Sequence, residues 1–249
     1  MRVLSVVIIA KNEEANIGRC IQSCLSISDD ILVMDSGSTD NTKKIATELG
    51  ARVFETDWLG YGATKNKVNA LAKYDWILSL DADEALSNTL IQSILNTDFQ
   101  SNNIYQLNRI TSIGGQWIKH SGWHPQYLPR IFEKSQTKWD NAQVHERLII
   151  PKHIKRHTLK GNLLHYSFRD FPDLNQRLSH YSKLKAKQWI QENRRISILK
   201  FYFGPLARFL SNYFFKLGFL DGIAGYKIAI EEARMISKAL EYYKKSKHA

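Results

Sequence analysis

Four apolar strands alternate with helices in the first 81 residues, and this alternation constrains the fold more than any other feature of the chain. Residues 3–10 and 30–35 have near-continuous apolar centres rich in β-branched side chains, which is typical of strands buried on both faces. Residues 51–55 and 75–80 continue the series, with helical periodicity between the strands. The resulting βαβαβαβ pattern predicts a parallel sheet flanked by helices and joined by right-handed crossovers.

Three polar segments follow the predicted strands, at the edge where parallel sheets bind ligands. They are residues 10–13, 35–40 and 81–84. Asp81 and Asp83 offer the hard oxygen ligands that suit Mg²⁺ or Mn²⁺. A solvated strand-to-helix turn is the alternative interpretation. Because no glycine-rich phosphate loop follows the first strand, the phosphates of any bound nucleotide need another partner, and a metal ion on these carboxylates is the expected one.

Three motifs in fixed order carry a resemblance to a known family. They are SVVIIAKNEE at 5–14, DSGSTDNT at 35–42 and DADE at 81–84. In order and spacing they resemble the nucleotide-binding half of the family-2 glycosyltransferases with the GT-A fold, and most closely the lipopolysaccharide core β-1,4-glucosyltransferase branch. The resemblance covers residues 1–150 and continues more loosely to about 245. It implies an α/β, Rossmann-like, mostly parallel sheet flanked by helices, with a C-terminal helical extension.

The resemblance implies a binding site for a UDP-sugar donor. Six residues are expected to contact the donor: Ala10, Glu13, Asp35, Lys65, Asp81 and Arg130. A Mg²⁺ or Mn²⁺ ion bridging the diphosphate is expected on Asp83, with Asp81 and His165 as further ligands. For Asp35 the alternative is a helix-capping role. For Arg130 it is a structural salt bridge, and for His165 a structural histidine.

The second half of the chain is expected to supply the catalytic base. The segment VHERL at 144–148 resembles the branch's Val-His-Glu segment, which implies Glu146 as the base. From the residues alone, Glu146 lies in a strand-like stretch from 143 to 150. The alternatives are that Glu146 pairs with Arg147 on a surface strand, or that His145 is the base.

Three residues are expected at the acceptor: Trp123, His124 and His145. The resemblance implies that segment 122–132 lines the sugar and acceptor cleft. The Trp123 ring is able to stack on a sugar face, and a core aromatic is the alternative interpretation for this side chain.

All the excess positive charge lies in the second half of the chain. The net charge is +11, yet residues 1–120 hold 11 Lys/Arg against 14 Asp/Glu, whereas residues 121–249 hold 24 against 10. Such a basic half indicates an anionic partner, and a solvated basic surface is the alternative.

The C-terminal part combines basic and aromatic side chains. Eight of residues 200–219 are Phe or Tyr, and three cations interrupt the apolar stretch, so it does not span a bilayer. This composition suits a segment in the membrane interface, and packing of the aromatics onto the GT-A domain is the alternative. The expected division is a GT-A domain at 1–170, with its nucleotide-binding half at 1–100 and its acceptor half at 101–170, followed by a membrane-associated helical extension at 171–249.

The resemblance, together with these features, implies an inverting, metal-dependent transfer of glucose from UDP-glucose to a saccharide or glycolipid, with the lipopolysaccharide inner core as the expected acceptor. The apolar run at 3–10 is too short for a signal peptide, and Cys20 and Cys24 fit as reduced core residues. The expected location is cytoplasmic, peripheral on the inner face of the cytoplasmic membrane.

One alternative to this function is transfer from another UDP-sugar to a polyprenyl-phosphate or capsule acceptor. A distant alternative is a basic nucleic-acid-binding protein, but the sequence lacks its signatures, and no nucleic-acid partner is expected.

Overall fold

The computed structural model describes residues 4–140 and 146–247, which divide into two compact units. The first unit comprises residues 1–109 and 126–165, and the second comprises 110–125 and 166–249. The second unit therefore combines the C-terminal helices with a short segment from the middle of the chain. A division at residue 170, as proposed from the sequence, leaves that segment with the sheet.

The first unit begins with the parallel strands that the sequence predicts. They are β1 (Leu4–Ala10), β2 (Asp30–Asp35), β3 (Arg52–Glu55) and β4 (Trp76–Asp81), in the order β3-β2-β1-β4. The helices between them are α1 (Ile17–Cys24), α2 (Thr42–Glu48) and α3 (Tyr61–Leu71). Strand β1 packs into two apolar clusters, with Val6 and Ile8 in one and Val7 and Ile9 in the other. This two-sided burial is what its continuous apolar sequence indicates.

Beyond β4 the sheet becomes antiparallel. The next elements are β5 (Glu84–Leu86), α4 (Asn88–Leu95), β6 (Asn103–Ile113), β7 (Gln116–Ile118), β8 (Gln126–Glu133), β9 (Lys138–Trp139), β10 (Leu148–Ile149) and β11 (Lys155–Phe168). In the described residues nine strands form one sheet, in the order β3-β2-β1-β4-β8-β6-β11-β5 with β7 paired to β6. The α/β fold is confirmed, and the sheet is mixed because β8 and β5 pair antiparallel to their neighbours.

The two cysteines are core residues, as the sequence predicts. Cys20 and Cys24 lie on the buried face of α1 as free thiols. Burial raises the pKa of the Cys24 thiol to about 12 and that of Cys20 well above its ordinary value. Both therefore remain protonated and unreactive at neutral pH.

The second unit is mainly helical. It contains α5 (Phe171–Gln191), α6 (Ile198–Leu210), a π-helical turn (Ser211–Phe215), a 3₁₀ turn (Gly218–Asp221) and α7 (Gly222–Lys247). Asp170 caps α5 by accepting a hydrogen bond from Asp173 N at 2.8 Å. An apolar cluster joins α5 and α7 through Ala186, Trp189, Ile236, Ala239, Leu240 and Tyr243. Among the described helices, none is long and apolar enough to cross a membrane.

Asp30 ties the start of β2 to three neighbouring segments. Its Oδ2 accepts hydrogen bonds from Ser5 Oγ at 2.5 Å and Lys73 N at 2.7 Å, and its Oδ1 accepts from Arg52 Nη1 at 2.8 Å. Burial alone raises the pKa of Asp30, but these hydrogen bonds and the Arg52 charge outweigh it and hold the pKa below its usual value. The buried carboxylate therefore stabilises the fold in its ionised form.

Asp30→Asn should lower the free energy of unfolding by about 2 kcal/mol at neutral pH, because a charged acceptor of buried hydrogen bonds is lost. The pKa of Asp30 is lower in the folded than in the unfolded state. Its contribution to the free energy of unfolding is therefore fully present above the pKa of the unfolded state, and it is lost as the pH falls through the pKa of the folded state. Urea denaturation at a series of pH values measures both effects. The control Asp29→Asn alters an exposed ion pair with Lys73 and should have a much smaller effect. Equal losses in the two variants would contradict this role of Asp30.

Candidate active site

The loops after β1 and β2 are hydrogen-bonded to each other at the carboxyl edge of the sheet. Asn12 N donates to Ser38 Oγ at 2.8 Å, and Thr39 N donates to Asn12 Oδ1 at 2.9 Å. One residue further, Glu13 N donates to Thr42 Oγ1 at 2.8 Å. The first two sequence motifs therefore form one connected surface, with Glu13 within it.

The carboxylate of Asp35 shapes the turn that follows β2. Its Oδ1 accepts from Gly37 N at 3.0 Å and Ser38 N at 2.8 Å, and its Oδ2 accepts from the Ser38 hydroxyl. Asp35 is fully buried, and Ser36 N donates to Ala10 O at 2.9 Å. The donor contacts expected of Ala10 and Asp35 stay predictions, and the geometry gives Asp35 a turn-forming role.

Lys65 on α3 is the centre of a buried charge cluster. Its side chain is only 2% exposed, yet its Nζ lies 2.7 Å from Glu146 Oε1 and 3.0 Å from Asp81 Oδ1. The same ammonium group stands 4.6 Å from the centroid of the Trp139 ring. The structure thus brings together the expected donor residue Lys65, the expected base Glu146 and the strand-end Asp81.

A close backbone contact places Glu146 beside Lys65. A Cβ at Gly62 would lie 1.8 Å from Asp140 O and 3.6 Å from Glu146 Cβ, so α3 approaches this segment only because residue 62 is glycine. Asn66 holds the segment further, since it exchanges two hydrogen bonds of 2.9 Å with the Trp139 backbone. Gly62 and Asn66 were not predicted as positioning residues, although both flank Lys65 in the segment GATKN.

Arg130 on β8 completes the cluster from the other side. Its Nη2 lies 2.8 Å from Asp81 Oδ2 and 2.6 Å from Glu84 Oε1, and Arg109 Nη1 lies 3.3 Å from Glu84 Oε1. Burial alone raises the pKa of Asp81, but the positive charges of Lys65 and Arg130 outweigh it and hold the pKa well below its usual range. Asp81 therefore stays ionised between two cations. The ion pairs of Arg130 match its alternative interpretation as a structural salt bridge, and its expected donor contact stays a prediction.

Glu84 was not predicted as a site residue, yet it organises the cluster. It is 1% exposed, its Oε2 accepts from Asp81 N at 3.0 Å, and its Oε1 contacts both arginines. The sequence feature that points to Glu84 is its place as the fourth residue of the DADE motif. Its partners were not visible there because Arg109 and Arg130 lie on β6 and β8, far along the chain.

Asp83 and His165 form a second pair beside this cluster. Strand β11 places His165 opposite Glu84, and Asp83 Oδ2 lies 3.2 Å from His165 Nε2. The two side chains are 19% and 14% exposed, so they remain accessible to a ligand. The described residues contain no group of three or more His, Cys, Asp or Glu side chains able to hold a metal. A carboxylate and an imidazole fit a divalent ion that takes its remaining ligands from substrate phosphates and water.

A cavity of about 430 Å³ opens onto the charge cluster. Its lining includes five cationic side chains, Lys65, Arg109, Arg130, Arg147 and Arg156, and two carboxylates, Asp81 and Glu146. In addition, the buried Arg130 Nε has no hydrogen-bond partner among the described residues. This excess of positive charge suits an anionic ligand of the size of a diphosphate.

Two of the three residues expected at the acceptor lie in the second unit. Trp123 belongs to the second unit, where its Nε1 donates to Glu232 Oε1 at 2.8 Å and its ring centroid lies 5.6 Å from that of Phe168. It is packed as a structural aromatic there, which was the alternative interpretation. His124 is in the same unit, and burial lowers its pKa. His145 lies outside the described residues.

The comparisons with known proteins agree on the class of protein. The profile of Glycosyl transferase family 2 matches residues 5–163. A glycosyltransferase of Rickettsia typhi is 30% identical over 238 residues, which cover 91% of this chain and 81% of the relative. The lipopolysaccharide core biosynthesis glycosyltransferase LpsC of Rhizobium meliloti is 28% identical over 231 residues, covering 90% and 85%. The chain belongs to glycosyl transferase family 2, so it is an enzyme of that class, and the predicted family is confirmed.

Solved structures show a more limited similarity. Glucosyl-3-phosphoglycerate synthase from Mycobacterium tuberculosis, in complex with Mn²⁺ and UDP-glucose, is 28% identical with a TM-score of 0.34. The match covers 42% of this chain and 44% of that chain. A similarity of this extent is too small to transfer a ligand.

Glu84→Ala should lower the free energy of unfolding by about 3–5 kcal/mol, because it leaves the buried Arg130 without one of its two carboxylate partners. Chemical denaturation measures the loss. Glu55→Ala is the matched control, since Glu55 pairs with Lys43 at the surface and its removal should cost about 0–1 kcal/mol. Similar losses in both variants would show that Glu84 does not support the cluster.

Proposed function

We propose that this enzyme transfers a hexose from a UDP-sugar to a saccharide acceptor with inversion at the anomeric carbon. The hexose that we propose is glucose. The observation that carries the proposal is the convergence of Lys65 and Arg130 on Asp81, in a cavity that also contains Glu146. Two buried cations at the carboxyl edge of a parallel sheet offer charge to a diphosphate where such sheets bind nucleotides.

The donor is held by the residues at this edge. The diphosphate approaches Lys65 and Arg130. Ala10 and Asp35, at the ends of β1 and β2, and Glu13, in the loop after β1, face the uracil and ribose. Asp83 and His165 are the side chains that would hold Mg²⁺ or Mn²⁺, and the bound ion would neutralise charge on the leaving diphosphate. Asp81 is the weaker candidate for a metal ligand, because its two oxygens already contact Lys65 and Arg130.

Glu146 acts as the general base in this proposal. Its side chain is 15% exposed, and the ion pair with Lys65 holds it beside the expected donor position. As the acceptor hydroxyl attacks the anomeric carbon, its proton passes to a Glu146 carboxylate oxygen. The bond from that carbon to UDP breaks on the opposite side, and the electron pair leaves with the diphosphate. A single in-line displacement of this kind converts an α-linked donor into a β-linked product.

The acceptor that we propose is the lipopolysaccharide inner core. The name of the LpsC relative supports a lipopolysaccharide core substrate, and its similarity extends over 90% of this chain. The cationic side chains of the cavity also suit an acceptor that carries phosphate groups.

We further propose that the second unit associates with an anionic membrane surface, at the inner face of the cytoplasmic membrane. Large apolar side chains there are more than 50% exposed: Leu199, Tyr202, Phe203, Leu206, Phe214, Phe215, Leu220 and Ile223. Exposed aromatic and aliphatic side chains beside lysines and arginines are typical of proteins that lie in the membrane interface. Other aromatics of the same segment, such as Phe201, pack against α7 instead.

A donor screen tests the proposed reaction. UDP release should be fastest with UDP-glucose among UDP-sugars, in the presence of a lipopolysaccharide core acceptor and Mn²⁺ or Mg²⁺. Excess EDTA should abolish release, because the charge on the leaving diphosphate is then not neutralised, and added Mn²⁺ should restore it. Full activity in EDTA would contradict the metal requirement, and a preference for another UDP-sugar would contradict the glucose assignment.

Glu146→Gln should lower kcat by about 10²–10⁴-fold, because the amide keeps the shape but does not accept the acceptor proton. UDP binding, measured by calorimetry, should stay near that of the wild type, since Lys65 is able to donate to the new amide oxygen. His145→Gln should cost less, and Glu55→Gln is an exposed control that should cost nothing measurable. If His145→Gln loses activity while Glu146→Gln retains it, the base is the histidine.

A further inference from the structure

Helices α5 and α7 enclose a groove that the proposed reaction does not use. The groove has a volume of about 890 Å³ and lies within the second unit. We call it the basic groove, and its lining includes Phe171, Ser179, Lys183, Lys227, Arg234 and Lys238. The helices run parallel along it, because Phe171 contacts Lys227 at one end and Ser179 contacts Lys238 further along both helices.

The charge of the basic groove is strongly positive. Its lining contains four Lys or Arg side chains and one carboxylate, Glu231, which pairs with Arg234 at 2.6 Å. Lys227 Nζ stands 4.8 Å from the centroid of the Phe171 ring, and Lys238 Nζ lies 3.3 Å from Ser179 Oγ. Both of these contacts are with neutral groups, so they leave the lysine charges available to an anionic ligand.

An apolar groove lies between α6 and α7, next to the basic groove. It has a volume of about 260 Å³ and is lined by Pro205, Leu206, Phe209, Ile230, Ala233, Arg234 and Ser237. Ile230 and Arg234 line both grooves, so the basic and the apolar groove adjoin along α7. A ligand that spans this boundary meets cations on one side and hydrocarbon on the other.

The apolar groove continues into an exposed apolar face of α6. The exposed residues are Leu199, Tyr202, Phe203, Leu206 and Leu210. Their spacing of three or four residues places them on one side of the helix. Leu206 belongs to both the groove and this face, and it is 54% exposed. The α6 face therefore extends the hydrocarbon surface that a bound ligand would cover.

We propose that the two grooves along α7 form a binding site for an anionic lipid, with its phosphate-bearing headgroup in the basic groove and its hydrocarbon chain in the apolar groove and along α6. The proposal deepens the membrane association described above and rests on that part of the proposed function, not on the transfer reaction. A soluble phosphate compound would fill only the basic groove. A purely apolar partner would leave the lysines of the basic groove without an anionic partner. An amphiphile matches both grooves at once.

Vesicle flotation of the full chain tests the headgroup part of the site. The probe is phosphatidylcholine vesicles with or without one quarter phosphatidylglycerol. The variant K183Q/K227Q/K238Q should bind the anionic vesicles at least roughly tenfold more weakly, since each lysine near an anionic surface contributes appreciably. The control K152Q/K155Q/K160Q removes the same charge from exposed lysines of the first unit and should change binding by less than roughly threefold. Equal losses in the two variants would overturn the site.

Two further arms test the lipid character and the integrity of the variants. Leu206→Ser should weaken binding to both kinds of vesicle, whereas inorganic phosphate at constant ionic strength should not release the wild type. Release by phosphate that K183Q/K227Q/K238Q lacks would show a free phosphate ligand and overturn the lipid assignment. If the triple variant fails to fold, K183Q/K227Q takes its place, because it changes only exposed lysines. This double variant should also bind the anionic vesicles more weakly than the wild type. UDP release with a soluble acceptor should be unchanged in K183Q/K227Q, so a failed transfer reaction is distinguished from a failed lipid site.

Discussion

The candidate active site depends on one buried interaction, the bridging of Asp81 by Lys65 and Arg130. Burying a lysine and an arginine costs several kcal/mol each unless carboxylates meet them with good geometry. Here each cation contacts one carboxylate oxygen of Asp81. Lys65 also pairs with Glu146, and Arg130 also pairs with Glu84. The cluster thereby fixes α3, the end of β4 and strand β8 relative to one another. Its cations are in place before any substrate arrives.

This preorganisation matters for the proposed chemistry. A diphosphate that enters the cavity meets Lys65 and Arg130 without having to reorder long side chains, so little entropy is lost at that step. Lys65 contacts the proposed base and the strand-end carboxylate at the same time. It therefore connects the expected donor position with the expected point of proton transfer. Gly62 makes this possible, because any side chain there would displace the segment that carries Glu146.

The sequence predicts the parallel half of the fold well and the site only in part. Strands β1 to β4 are visible because two-sided burial requires continuous apolar runs, and the site motifs follow them directly. The antiparallel half could not be predicted, because its pairing joins residues far apart in sequence and its strands carry both polar and apolar side chains. For the same reason Glu84 and Gly62 were missed. Their roles depend on the register of β6, β8 and β11 and on the approach of α3 to residue 140. Trp123 shows the converse, because its place in segment 122–132 predicted an acceptor contact with core packing as the alternative, and the structure packs its ring against Phe168.

The proposed function requires that the carboxyl edge of the parallel strands binds a nucleotide diphosphate together with a divalent ion on Asp83. The most direct test is calorimetric titration of the wild type and Asp83→Asn with UDP, with and without Mn²⁺. Since the two ligands would share contacts, Mn²⁺ should strengthen UDP binding to the wild type by roughly tenfold or more. Asp83→Asn should lose this enhancement while keeping the metal-free affinity that Lys65 and Arg130 provide. The same dependence on Mn²⁺ in both proteins would exclude Asp83 as the metal ligand, and no UDP binding to the wild type would exclude the donor site.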